Sequence, residues 1–174
     1  MRSFSLRGKF SMDDNARLNP TKLFDYVSPD RTRAWRVSRA YVWPLTVRAD
    51  TGSDEGKITA SFALQTDDGS YITWNDVGDP TENRSFAWAN WFGFLRNDGS
   101  DDFILPESIP FAEFIVDPDV MVVKELWISA GCTTESATSP SRDWGYMVIL
   151  EEEKLSPSQS VFQQIKGMGQ DVSN

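Results

Sequence analysis

Apolar and polar residues alternate with a period of two over most of this chain, the spacing that gives a strand one buried and one wetted face. The clearest run is Lys57 to Leu64, where Ile58, Ala60, Phe62 and Leu64 share one side and Lys57, Thr59, Ser61 and Ala63 the other. Comparable runs are Phe4 to Phe10, Trp35 to Val47, Tyr71 to Trp74, Phe86 to Phe94, Phe111 to Val116, Val120 to Ile128 and Trp144 to Leu150. About eight strands are predicted from these runs. In the fifth, Phe86, Trp88, Phe92 and Phe94 share a parity and are expected to be buried together.

Turn-forming clusters separate the runs: Asp50 to Gly56, Asp67-Asp68-Gly69, Gly78-Asp79-Pro80, Asn97-Asp98-Gly99 and Asp117-Pro118-Asp119. Gly and Asn supply positive φ, Pro fixes φ, and Asp closes Asx turns, so each cluster has a reason to end a strand. Asp67-Asp68-Gly69 is the best hairpin candidate, joining the Lys57 run to Tyr71–Trp74. Strands without intervening amphipathic helices imply an all-β antiparallel sandwich or barrel.

Two stretches depart from the alternation. Residues 13–33 contain Asn19-Pro20 and Ser28-Pro29 and read as an extended basic segment with a short helical turn near Thr21 to Tyr26. At the other end, Ser156-Pro157-Ser158-Gln159 has a Ser cap, Pro at the first helical position and Gln placed to complete a capping box. Val161, Ile165 and Met168 follow at helical spacing, so a short C-terminal helix is expected to pack its stripe on the sandwich or on a neighbouring copy. The expected organisation is one domain: a basic N-terminal segment with the first strand over 1–33, a β-sandwich over 34–155, and a helix and tail over 156–174.

At 174 residues one hydrophobic core suffices, and the 40% apolar and 25% charged content is that of a globular protein. Aromatics are in excess, at 13% with seven Trp, which raises the expectation of a recognition surface. No apolar run approaches the ~20 residues that span a bilayer, and residues 1–7 lack the apolar core of a signal peptide, so a soluble chain with no membrane partner is expected. Cys132 is the single cysteine, expected as a half-buried loop residue without a disulfide.

The net charge of −9 is unevenly spread. Residues 1–48 hold ten Lys/Arg against four Asp/Glu, a balance of +6, and the remainder carries −15. Two electrostatic faces follow if this order survives folding, and one uniform surface follows if distant charges mingle. Under the first alternative Arg2, Arg7, Lys9, Arg17, Lys22, Arg31, Arg33, Arg36 and Arg39 are the candidates to face nucleic acid.

Catalytic equipment is sparse. The chain has no histidine, which removes His-activated nucleophiles, imidazole bases and the commonest zinc ligand. No phosphate-cradling Gly-rich loop opens a helix. Paired carboxylates survive as a glycosidase possibility through Glu113, Glu125 and Glu151 to Glu153, though strand carboxylates are ordinarily solvated. Asp50 to Glu55 and Asn97 to Asp102 have oxygens for calcium but match no full calcium loop. A protein that is not an enzyme, with no metal or cofactor, is expected.

Strand parity sets Trp91 opposite Trp88, and Trp127 opposite Leu126 and Ile128, so rings fall on both faces of a strand and both faces need cover. A neighbouring subunit provides it most simply. Trp91, Trp127 and Trp144, with Val161 and Ile165 of the C-terminal stripe, are the candidate subunit-contact residues.

Phe114 to Ile128, Trp144 to Glu151 and Ser160 to Val172, together with the opening Phe4-Ser5-Leu6-Arg7-Gly8-Lys9-Phe10, resemble small coat proteins of environmental viruses with compact genomes. The resemblance covers about half of the chain and is carried by hydrophobic strand patterns. It implies an eight-stranded jelly roll, a self-assembling icosahedral shell around a nucleic-acid genome, and location in the virion. The chain departs from such proteins in lacking a dense Arg/Lys arm, which puts strong genome binding in doubt. The alternative is a carbohydrate-binding module or tail-fibre-like adhesin using Trp74 and Trp144.

Overall fold

Ten strands carry the alternation in a computed structural model that describes residues 2–13, 17–26, 33–45, 56–67, 77, 85–97, 102–104, 110–134, 141–159 and 161–162. They are β1 (Ser3–Asp13), β2 (Arg17–Asp25), β3 (Arg33–Pro44), β4 (Gly56–Gln65), β5 (Ser85–Asn97), β6 (Asp102–Ile104), β7 (Ala112–Glu113), β8 (Ile115–Val116), β9 (Glu125–Thr134) and β10 (Ser141–Lys154). One sheet runs β1-β10-β3-β7, and the other runs β2-β9-β4-β5-β6 with β8 also beside β5. Every pairing is antiparallel, and the two sheets form an all-β sandwich.

The connectivity is nested. β1 pairs with β10, β2 with β9, β3 with β7, and β4 with β5, so successive strands find partners in reverse order along the chain. A long antiparallel ribbon rolled over two sheets has this order, which is that of a jelly roll. Residues 112–116 close one side: β7 pairs in one sheet and β8 in the other, with the buried Phe114 between them.

The core lies between the sheets. Phe10 and Trp144 come from the four-stranded sheet, and Phe62 and Trp91 from the other. Trp144 meets Phe62 at 5.0 Å and Trp91 at 5.3 Å between centroids, both edge-on, the arrangement that the ring quadrupole favours. Trp91 fits because Gly93, two residues on, has no Cβ; one placed there would stand 2.2 Å from Cη2 of the indole. At one end of the sandwich Phe4, Phe24 and Tyr26 surround Trp35 at 4.7 to 6.3 Å.

Several sequence expectations change. The helical turn near Thr21 to Tyr26 is strand β2, whose register slips between Leu18 and Thr21 and again between Lys22 and Phe24. The strand expected over Val120 to Ile128 lies further on, at Glu125–Thr134, and Val122 makes only a single bridge to Trp35. Both edges of β4 are taken, by β5 and β9, and the hairpin partner expected at Tyr71–Trp74 lies outside the described residues. Cys132 is fully buried within β9 and not in a loop. In β5 Phe86 is buried as expected, but beyond it the parity is the reverse: Ala87, Ala89, Trp91 and Gly93 are buried, whereas Trp88 and Phe92 are half-buried and Asn90 is exposed; the side chain of Phe94 lies outside the described residues.

Local capping matches the sequence. The Asp117 carboxylate accepts from the Asp119 amide at 2.9 Å, an Asx turn. The Ser156 hydroxyl accepts from the Gln159 amide at 3.3 Å while the Gln159 side chain accepts from the Ser156 amide at 3.0 Å, closing a capping box on helical residues 157–159 and 161–162. Among the described residues no helix is long and apolar enough to cross a membrane.

Candidate interaction surface

β10 brings the two charge blocks of the sequence together, because it lies between β1 and β3. Its acidic end, Glu151 to Lys154, runs beside Arg36 to Arg33 in register. Arg33 reaches Glu152 at 2.6 Å and Arg36 reaches Glu153 at 2.9 Å. Lys9 on β1 reaches Asp143 at 3.1 Å, where Ser11 also donates. Lys22 on β2 sits between Asp25 at 3.2 Å and Glu125 at 2.9 Å. The basic first third and the acidic remainder therefore mingle, and the second alternative for the charge pattern is the one that the fold adopts.

The candidate basic residues divide accordingly. Lys9, Lys22, Arg33 and Arg36 are neutralised by carboxylates. Arg2, Arg7 and Arg39 are exposed, with no ion pair among the described residues. Arg31 and the side chain of Arg17 lie outside the described residues.

The candidate contact residues also divide. Trp91 and Trp144 are 1% and 0% exposed and belong to the core, so they have no ring surface to offer a partner subunit. Trp127 is half-buried; its indole donates to Glu125 at 3.0 Å, and the Lys22 ammonium lies 4.9 Å from its ring centroid. Lys22 thus caps one aromatic face with a cation. Val161 is bare at 55% exposure, as is Phe162 at 65%, while Ile165 lies outside the described residues.

Glu125 has both oxygens engaged, Oε1 by Lys22 and Oε2 by Trp127. The Lys22 hydrogen bond outweighs desolvation and holds this carboxyl below the ordinary glutamate range. The same contact raises Lys22. Asp143 is lowered chiefly by the Ser11 hydroxyl and then by Lys9. These carboxyls are held as anions that accept hydrogen bonds. Of the acidic loops considered for calcium, Asp50 to Glu55 and Asp98 to Asp101 lie outside the described residues.

The outer face of the four-stranded sheet gathers the residues left without cover. Cross-strand register aligns Ser5, Ile149 and Arg39 in one row, Arg7, Met147, Tyr41 and Glu113 in the next, and Lys9, Gly145 and Trp43 in a third. Trp43 lies on Gly145: a Cβ built there would stand 2.7, 2.8 and 2.9 Å from Cε2, Nε1 and Cζ2. Such similar distances to bonded neighbours put Gly145 under the ring's face, so the indole lies on the sheet. Tyr41 is flanked edge-on by Phe111, which is 49% exposed. No protein-family model matches the chain, and no curated protein matches it. The surface is accordingly read from its own chemistry. Aromatic rings, Met and Arg together are the composition enriched where proteins meet partners, and this face combines all three.

The sequence reading missed Trp43 and Tyr41, treating Trp35 to Val47 as one alternating run without asking which parity faced out. A bulge puts Arg36, Arg39, Tyr41 and Trp43 on one side and Val37, Ala40 and Val42 on the other, which a single parity conceals. The register shift opposite Ile149 and Leu150 moves the pattern by one residue at Ser38.

Proposed function

We propose that this chain is a subunit of a self-assembling viral coat. The observation that carries the reading is the nested strand pairing, β1 with β10, β2 with β9, β3 with β7 and β4 with β5, because jelly rolls of this connectivity serve as capsid subunits as well as lectins and cupins. Fold alone does not fix function, and the choice among these uses rests on the surface. The large apolar residues left bare sit at strand ends and connections: Leu45 at 46%, Phe111 at 49%, Ile115 at 77%, Val161 at 55% and Phe162 at 65% exposed. Contacts of that kind join one rigid sandwich to the next. The resemblance of the C-terminal strands to small viral coat proteins points the same way.

The adhesin alternative loses one of its named rings, since Trp144 is a core residue, and Trp74 lies outside the described residues. Size-exclusion chromatography with negative-stain microscopy, over a range of salt and pH, tests the coat reading. Closed particles or their capsomeres are expected. A monomer under every condition overturns it.

A further inference from the structure

We infer that the outer face of the four-stranded sheet holds single-stranded nucleic acid, with bases stacking on Trp43 and Tyr41 and phosphates drawn to Arg7 and Arg39. This inference rests on the coat reading and assigns a surface and a ligand class to it. The net charge of −9 denies the molecule any general attraction for a polyanion, so binding has to be local. On this face Lys9 is offset by Asp143 and Glu113 stands opposite Tyr41, so the attraction falls to two guanidiniums. Arg7 and Arg39 are exposed and carry no ion pair among the described residues, in rows adjoining Tyr41. Arg36, on the same strand, is neutralised by Glu153 and is left out.

The aromatic groups are disposed to take bases. Trp43 and Tyr41 sit two residues apart on β3 and on one face, which separates them by about 7 Å along the strand. Gly145 supports the Trp43 indole from beneath, and the ring is half-buried. Flat rings interleaved with cations are the equipment of surfaces that bind single strands, where every base offers a π-face and the backbone offers charge. In a duplex the bases are stacked on one another and unavailable.

A sugar fits less well. Its hydroxyls need free acceptors beside the rings; Asp143 already accepts from both Ser11 and Lys9, which leaves Glu113 opposite Tyr41. Guanidinium groups without carboxylate partners among the described residues favour an anion over a neutral glycan.

Fluorescence anisotropy of the full chain with labelled single-stranded DNA and RNA oligonucleotides tests the inference. The comparison ligands are a blunt duplex of the same sequence, a strand of abasic sites, and a heparin fragment, at 50 and 200 mM salt. Two phosphate contacts on a single strand predict an affinity loss of about 7-fold between those salt concentrations. The double variant Arg7→Gln, Arg39→Gln should remove most of that salt dependence. Trp43→Ala should weaken binding of the normal strand by about tenfold and leave the abasic strand unchanged, and Trp43→Phe should restore most of the loss. Duplex or heparin binding as tightly as the single strand, indifference to Trp43→Ala, or no binding at 50 mM salt each overturns the inference. Particle assembly is followed on the same samples. Particles without strand binding sink this inference alone, and strand binding by a permanent monomer sinks the coat reading alone.

Discussion

Trp91 and Trp144 show how a large ring misleads a parity reading. Trp88, Phe92 and Phe94 outweigh the other side of β5 in hydrophobic bulk, yet beyond the buried Phe86 it is the side of Ala87, Ala89 and Gly93 that is buried, and their smallness leaves space for one indole. Asn90 was the legible clue, because a polar side chain among rings marks the wet face. Trp144→Ala should therefore lower stability by about 3 to 5 kcal/mol in urea denaturation, and a change near zero would place its ring outside the core. Glu125 gives a pH prediction. Lys22 lowers its folded pKa, so the folded state binds that proton less readily than the unfolded chain. The stabilisation is present above the ordinary glutamate range, about pH 4 to 5, and is lost as pH falls through the lowered folded value. Glu125→Gln should flatten that acid loss, measured as urea midpoints at neutral and acid pH.

At the scale of elements, strands with one wet face were legible and strands at the extremes of burial were not. β9 is central in its sheet, and Ser129, Ala130 and Cys132 are all buried, so alternation vanishes and small residues imitate a loop. β2 fails for the opposite reason. It is an edge strand that carries Pro20 where its register slips, and an edge tolerates a proline that a central ladder would reject. The capping box was readable because its chemistry is local. Ser156→Ala should weaken that turn by about 1 kcal/mol, seen as faster amide exchange at Gln159 while the global unfolding midpoint holds. Of the interaction surface, the sequence offered Arg7, Lys9 and Arg39 but not the rings beside them, since the bulge at Ser38 hides which residues of β3 share their side.

For the whole molecule, charge order along the chain did not become charge order in space. Antiparallel pairing of the first strands with the last sets Arg33 and Arg36 against Glu152 and Glu153, and the +6 and −15 halves cancel locally. The same pairing makes the N-terminal region part of the sandwich. A chain starting at residue 34 would lack an edge strand of each sheet, with Phe10 and Met12 of the core, and should show no cooperative unfolding by circular dichroism. A stable truncated domain would instead mark residues 1–33 as a detachable arm. The nested roll also sets a schedule. Ser3 pairs with Glu151, so at 5–20 residues per second a ribosome holds β1 without its partner for roughly 7 to 30 s. The first strand emitted waits for the last, and an unfinished polypeptide cannot close. Only a chain made through β10 can complete the four-stranded sheet, a check written into the order of strands.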